Sequence, residues 1–272
     1  MFYARRCFAK INLFLKVLGR REDGYHQLDT LFQEIDLSET LTWRLDDQPY
    51  RLRVTGGEVG PAAQNLITRA VRAFEAEAGV AVTGLFSLEK RIPTGGGLGG
   101  GSANAAHTLM MLNQHHGEPL DRTALHRLAV GLGADVPFFL IGGTCRGGGI
   151  GEELSPVTWT APTPGGFLIL PPYGVPTASV FRALAAPPLG EACAGHEPAV
   201  GENDLWPPVA RLFPELAALL AAWPREGDEA CFMTGSGSTL VHLTDTAVLS
   251  PAQQAVLTQY KAEAVPFRFR FL

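Results

Sequence analysis

The 272-residue chain has no apolar run long enough to span a bilayer, for which about 20 residues are needed; stretches such as Leu216 to Trp223 fall far short. Its N-terminus, MFYARRCFAK, lacks the apolar core of a secretion signal. These two absences lead to the expectation of a cytoplasmic protein with no membrane partner. Basic residues are not in excess: 22 Lys and Arg face 27 Asp and Glu, for a net charge of −5. With a pI near 5.8, the chain is not expected to bind nucleic acid through bulk charge, and any basic site must be local. Its four cysteines, Cys7, Cys145, Cys193 and Cys231, show no Cys-x-x-Cys spacing. Neither a zinc site nor a disulfide framework is indicated, and four reduced thiols are expected. No internal repeat is present. A hydrophobic share of 46% against 18% charged residues describes an ordinary globular chain, long enough for one large domain or two moderate ones.

Glycine and proline, by contrast, are plentiful at 31 and 20 residues, which favours many short elements and tight turns over a helical bundle. Six of the glycines fall between Gly95 and Gly101, in the stretch PTGGGLGGGSANAA from Pro93 to Ala106. A loop stripped of side chains can close its backbone N–H groups on a ligand and take φ > 0 at little cost. The small residues Ser102 and Ala103 lead into an apolar helical segment, Ala105 to Leu112. A helix starting there points its positive dipole end and its unpaired N–H groups into the same space, where an anion belongs. A mobile glycine linker would not run without interruption into such a helix. A Walker loop needs Lys after its last glycine, whereas Gly101 is followed by Ser102 and Ala103. Gly95, Gly97 and Gly100 satisfy the dinucleotide pattern GxGxxG, but any run of six glycines does so almost automatically. The acidic residue expected about 20 positions on is replaced by a turn around Pro119.

Elsewhere, period-2 alternation marks strands and 3.6-residue periodicity marks helices. Ala9 to Val17 alternates as a half-buried strand with Lys10 and Asn12 on one face, close enough to address one substrate; an ordinary solvated face is the competing reading. A polar turn around Asp23 and Gly24 ends in Tyr25 and His26, ring side chains suited to a heteroaromatic base. Strands are expected at Ile35 to Leu45 and Tyr50 to Val54, joined by a turn at Asp46 to Pro49, and at Val82 to Leu88. Helices are expected from Asn65 to Ala78 and after an N-cap at Asp121. In GADVPFF, Asp135 is either a helix cap or a deliberately placed carboxylate. Prolines and glycines crowd near 155 to 165, dividing the chain into 1–158 and 159–272. Beyond this seam come a strand at Phe167 to Leu170, a loop at Pro171 to Phe181, and a Pro/Gly/Ala-rich stretch to Gly201 that is expected to be partly mobile. A helix from Trp206 to Ala222 should break at Pro214. Strands Glu229 to Met233 and Thr239 to Leu243 should flank the turn Thr234 to Ser238, and Ser250-Pro251 should cap a last helix running to Ala264.

The segment Pro93, Gly95, Gly97, Leu98, Gly99, Gly101, Ser102 resembles the phosphate loop of the GHMP small-molecule kinases. GADVPFF and Thr234-Gly235-Ser236-Gly237-Ser238 match the same family in order along the chain. The resemblance implies a two-domain α+β fold, ribosomal-protein-like in its N-terminal half and ferredoxin-like in its C-terminal half. It implies ATP and Mg²⁺, with Pro93, Gly95, Gly96, Gly97, Leu98, Gly99, Gly100, Gly101, Ser102 and Ala103 holding phosphates and Asn65 and Lys90 near the adenine. No protein ligand can be assigned to the Mg²⁺. By the same resemblance Asp135 handles the proton of the acceptor hydroxyl and Lys10 stabilises developing charge. The block AKINL with REDGYH and Leu31-Phe32 resembles the members that phosphorylate the 2-hydroxyl of a cytidine diphosphate alcohol for isoprenoid synthesis. Tyr25 and Phe181 would then sandwich the cytosine, His26 would bond its edge, Asn12 would fix the reacting end, and Phe32 would belong to the same site. A homoserine-type or mevalonate-type kinase has no reason to place Tyr25 and His26 after an Asp-Gly turn. A silent nucleotide-binding member has no use for Lys10 and Asp135.

Overall fold

In the computed structural model, residues 1–57, 60–185, 198–227 and 229–271 are described. Cys193 and most of the stretch expected to be mobile lie outside them. The chain forms two compact units that interleave in sequence, one comprising Met1–Ala9, Leu37–Thr94 and Gly99–Gly142 and the other Lys10–Asp36, Gly95–Leu98 and Gly143–Leu272. Helices and largely antiparallel sheets occur in both, so the class is α+β. Two long strands, β1 (Phe2–Arg20) and β2 (His26–Pro49), contribute segments to each unit.

In the first unit β2 pairs antiparallel with β4 (Thr83–Glu89), setting Trp43 opposite Phe86. The short β3 (Arg51–Thr55) then pairs with β4 in parallel, not with β2 as a hairpin. The expected turn at Asp46 to Pro49 is therefore absent. β2 continues through it with a register slip between Arg44 and Pro49, because β4 supplies a ladder for both strands. Helix α1 (Leu66–Ala78) buries Ile67, Ala70, Val71 and Phe74, the i, i+3, i+4, i+7 stripe of a helix with one core face. Its neighbour α2 (Gly100–His115) buries residues on nearly every face, including Ala103, Ala106, Leu109 and Met111, and is the central helix of this unit. Asp121 caps α3 (Arg122–Leu132) by accepting from the Ala124 N–H at 2.8 Å. The one-turn α4 (Phe138–Ile141) follows.

In the second unit the first part of β2 pairs with β5 (Thr144–Gly148), Thr30 opposite Gly147, and β5 pairs with β6 (Glu153–Pro156). A separate four-stranded antiparallel sheet has the order β10-β7-β9-β8, from β7 (Gly165–Leu170), β8 (Cys231–Met233), β9 (Leu240–Leu243) and β10 (Glu263–Arg268). Leu15, Ile169, Val209, Leu219, Trp223 and Leu240 share its core. Helices α6 (Trp206–Leu212) and α7 (Pro214–Ala222) are separated at Phe213 by the expected proline break. The segment expected to be a loop at Pro171 to Phe181 contains the start of α5 (Thr177–Ala183). The last helix, α8 (Pro251–Tyr260), opens on a full Ser250/Gln253 capping box, but it ends before Ala264. Lys261 takes φ +52°, and the alternation that buries Phe267 and Phe269 makes the segment after it a strand. Among the described residues, no helix is long and apolar enough to cross a membrane.

Candidate functional site

Strand β1 was expected to be half-buried, with Lys10 and Asn12 on a polar face. Both are instead only 3% exposed, because β1 is covered on both sides from Ala9 to Leu15. A buried Lys-Asn pair on a central strand excludes the solvated-face reading, since an ammonium out of water must be compensated by oriented oxygens and π faces. Here the Lys10 Nζ donates to Asn12 Oδ1 at 2.7 Å and lies 5.3 Å from the Phe32 ring centroid. Phe32 is itself buried, so its ring lies under the Lys10 ammonium. The Asn12 Nδ2 donates to Thr30 Oγ1 and its backbone N–H to Thr234 Oγ1, each at 2.7 Å.

That last bond ties Lys10 and Asn12 to the turn Thr234 to Ser238, which is closed by Gly237 N–H donating to Thr234 O at 3.0 Å. The first part of the glycine loop, Gly95 to Leu98, lies against the same turn. The Lys10 N–H donates to Leu98 O at 3.0 Å, the Thr239 N–H to Gly96 O at 3.4 Å, and the Val175 N–H to Gly95 O at 3.3 Å. Gly97, at φ +77°, is required on two counts: a Cβ there would stand 2.8 Å from Thr234 O and 3.2 Å from Gly237 O. Beside Gly96 the Thr239 hydroxyl is buried without a hydrogen-bond partner, and a Cβ on Gly96 would lie 2.7 Å from it. A buried hydroxyl of this kind calls for a ligand oxygen or an ordered water. Around the turn, Ser236 and Thr177 share a 2.7 Å hydroxyl contact, and Ser238 donates to Tyr173 O at 2.5 Å.

In the first unit, the rest of the loop opens α2. Gly99 is its N-cap at φ +72°, with no side-chain cap on the first-turn N–H groups, and Ser102 and Ala103 lie on that turn. A bare, positively polarised helix start of this length suits phosphate oxygens. The Thr239 hydroxyl and the glycine backbone of the second unit suit them as well, so the residues present in each unit fit a nucleotide's phosphates. Pro93 is half-buried ahead of the loop. Lys90, expected near an adenine, has its ammonium committed elsewhere: it donates to Glu39 Oε2 at 2.8 Å and to Ile92 O at 2.5 Å, with both side chains buried. Glu39 Oε2 also accepts from the Arg91 and Ile92 N–H groups, each at 3.2 Å, and Oε1 from Asn104 Nδ2 at 2.6 Å. One buried carboxylate thus gathers the end of β4 and the start of α2. Asn65, the other residue expected near the adenine, caps α1 by accepting from the Ile67 N–H at 2.9 Å.

Asp135 sits in the turn preceding α4. The cap position of that helix is Pro137, with no side-chain cap bond, so Asp135 is not its helix cap. The expected base-binding residues lie in the second unit. The turn before β2 is held by Arg21 N–H to Tyr25 O at 2.8 Å and Tyr25 N–H to Asp23 Oδ1 at 3.0 Å, with Gly24 at φ +87°. It leaves Tyr25 60% exposed. His26 and Phe181 are brought together, with ring centroids 5.2 Å apart and planes 31° from parallel. Burial, with help from the Arg20 charge, lowers the pKa of His26, so near neutral pH the ring offers one donor and one acceptor. Among the described residues, no group of three or more His, Cys, Asp or Glu is gathered to hold a metal ion.

Sequence reasoning missed Thr30, Glu39 and Thr239. Thr30 immediately precedes the Leu31-Phe32 pair, which was the available signal, whereas Glu39 alternates within β2 like any strand residue and only its tertiary contacts reveal it. Thr239 immediately follows the Thr234 to Ser238 motif, which was the available signal.

Comparison with known proteins bears on this geometry. Residues 65–143 match the family described as "GHMP kinases N terminal domain". A 4-diphosphocytidyl-2-C-methyl-D-erythritol kinase of Ralstonia nicotianae is 39% identical over 95% of this chain and 88% of its own length. A crystal structure of 4-(cytidine 5'-diphospho)-2C-methyl-D-erythritol kinase superposes with a TM-score of 0.72 at 34% identity, covering 98% of this chain and 99% of that one. A homoserine kinase from Cytophaga hutchinsonii, covering 98% and 95%, reaches a TM-score of 0.66 at 17% identity, a likeness of fold alone.

Proposed function

The chain belongs to the 4-diphosphocytidyl-2-C-methyl-D-erythritol kinases of the GHMP family, and from that premise we propose how it acts. It phosphorylates the 2-hydroxyl of 4-diphosphocytidyl-2-C-methyl-D-erythritol at the expense of ATP, in the non-mevalonate route to isoprenoid precursors. The observation that carries this reading is the buried Lys10-Asn12 pair, tied through Thr234 to the turn that also holds the first part of the glycine loop.

Phosphoryl transfer asks little covalent chemistry of a protein; positioning and charge neutralisation do most of the work. Lys10, held by Asn12 and Phe32, supplies a fixed positive charge for the oxygen on which negative charge develops. Asp135 accepts or orients the proton of the acceptor hydroxyl. In the second unit the backbone of Gly95 to Leu98 and the Thr239 hydroxyl suit phosphate oxygens, and in the first unit the N–H groups of Gly99 to Gly101 at the start of α2 suit them as well. ATP would supply the phosphoryl group, and Mg²⁺ bound with it would supply further charge neutralisation. Tyr25 offers an exposed flat face to the cytosine, while neutral His26, packed on Phe181, offers its edge a donor and an acceptor. The reaction needs only small soluble reactants, so neither nucleic acid nor membrane enters it and a cytoplasmic setting suffices.

The test is an ADP-release assay with 4-diphosphocytidyl-2-C-methyl-D-erythritol, homoserine and mevalonate as competing acceptors. Turnover confined to the cytidine compound is expected. Preferential turnover of either simple acid would overturn the substrate assignment.

A further inference from the structure

We propose that Thr30 is a positioning residue: it fixes which way the Asn12 carboxamide faces and so holds the Lys10 ammonium in its working place. The proposal rests on the reading of Lys10 as the group that stabilises developing charge.

Thr30 lies on β2, fully buried, with its hydroxyl between Phe14 and Asn12. Its Oγ1 is 2.6 Å from the Phe14 carbonyl oxygen, which can only accept, so the hydroxyl proton must point there. What Thr30 then presents to Asn12, 2.7 Å away, is a lone pair. The nitrogen and oxygen ends of a carboxamide have nearly the same shape, and only the surrounding bonds choose between them. Facing a lone pair, Asn12 must turn its NH₂ toward Thr30 and its Oδ1 toward Lys10, whose ammonium donates at 2.7 Å. The opposite orientation would set Asn12 NH₂ against the Lys10 ammonium, donor to donor, and Asn12 Oδ1 against the Thr30 oxygen. The polarity of the whole chain therefore runs from a backbone carbonyl on β1, through Thr30 and Asn12, to the ammonium. At its other end Asn12 is pinned by its backbone N–H on Thr234 Oγ1, so the carboxamide has only its side-chain torsions left to set. Sequence offers no motif for this role, since Thr30 stands 18 residues from Asn12.

The competing account is that Thr30 simply satisfies the buried Phe14 carbonyl, as buried polar side chains commonly do. Thr30→Val separates the two. It preserves the branched shape, adds no bulk beside Gly147, where a Cβ would already stand 3.3 Å from the Thr30 methyl, and removes both hydrogen bonds. Steady-state kinetics with ATP and the cytidine diphosphate alcohol are measured for Thr30→Val, Thr30→Ser, Lys10→Met and Lys10→Met/Thr30→Val, with urea unfolding as a control on folding. Thr30→Val is expected to lower kcat about 10- to 100-fold while KM for ATP stays within about threefold, and Thr30→Ser is expected to keep most of the activity. In the Lys10→Met background, Thr30→Val should add less than about a twofold loss, because the group it positions is gone. If Thr30→Val does not fold, Thr30→Cys, a small side chain that hydrogen-bonds weakly, takes its place with the same expectations. Unchanged kcat in Thr30→Val, no rescue by Ser, or a full additional loss in the Lys10→Met background would overturn the positioning role. Near-normal kcat in Lys10→Met would instead remove the reading of Lys10, and this proposal with it.

Discussion

Replacing Glu39 by Gln keeps the shape of the side chain and removes one buried negative charge. The carboxylate now accepts from Lys90 Nζ, two backbone N–H groups and Asn104 Nδ2. A Gln can keep its oxygen on the Lys90 side and turn its NH₂ toward Asn104. The Asn104 Oδ1 is buried without a partner, so rotation of that carboxamide lets it accept from the new donor. Hydrogen bonding is then largely preserved, and what remains is an ammonium buried without its counter-charge. Removing one partner of a buried ion pair typically costs about 3 to 5 kcal/mol; with the hydrogen bonds retained, the lower end, about 3 kcal/mol, is expected. In urea unfolding, with m of about 2 to 3 kcal/mol/M, this moves the midpoint down by about 1 M or more. Adding Lys90→Met should recover part of the loss, because it removes the ammonium left buried without its counter-charge. A loss below about 1 kcal/mol for Glu39→Gln, or simple additivity in the double variant, would refute the view of this pair as a buried, mutually compensating unit.

Other consequences can be checked with the same preparations. Asp135→Asn should preserve nucleotide and acceptor binding by calorimetry while lowering kcat by two or more orders of magnitude, as loss of a positioned proton acceptor does; near-normal turnover would remove it from the mechanism. Gly97→Ala and Gly95→Ala share φ +77°, but only the former drives a Cβ into a backbone oxygen, whereas the latter meets nothing closer than 3.6 Å. Gly97→Ala should therefore raise KM for ATP at least tenfold and Gly95→Ala distinctly less, and equal effects would mean that backbone conformation alone matters. His107 is pushed down from 6.5 to about 4 by burial and then by the Arg5 charge, and its Nδ1 is buried without a partner. The unfolded chain thus binds this proton more readily, so stability is lost as pH falls from 6.5 toward 4, by up to roughly 3 kcal/mol at 1.36 kcal/mol per unit. His107→Gln should flatten that limb of the urea-midpoint profile, and an unchanged slope would contradict it.

Much of this architecture is legible in the sequence wherever a local rule and the tertiary fold agree. The caps at Asp121 and Ser250 and the break at Pro214 fall where side-chain chemistry puts them. Local patterning fails where the partner strand decides. Asp46 to Pro49 reads as a turn, yet it continues β2 because β4 is there to receive it, and the last helix reads on to Ala264 although it stops at Tyr260, where Lys261 turns left-handed and a strand begins at Glu263. In the candidate site, the glycine loop, Lys10, Asn12 and the Tyr25-His26 pair announce themselves through spacing and chemical type. The residues that orient them do not. Glu39 lies 51 residues from Lys90 and Asn12 lies 222 from Thr234, and no period or motif links positions so far apart.

The central claim is that this chain reads a cytosine base while phosphorylating the alcohol attached to it. Its most direct test is kcat/KM for the cytidine and uridine forms of the diphosphate alcohol, measured in the wild type and in Tyr25→Ala. Base stacking on an aromatic face is worth roughly 1 to 3 kcal/mol, so Tyr25→Ala should weaken use of the cytidine form about 5- to 150-fold. His26 should make the wild type discriminate against the uridine form, which presents a carbonyl where cytosine presents an amino group. Equal constants for the two nucleotides, together with no loss on Tyr25→Ala, would contradict the claim.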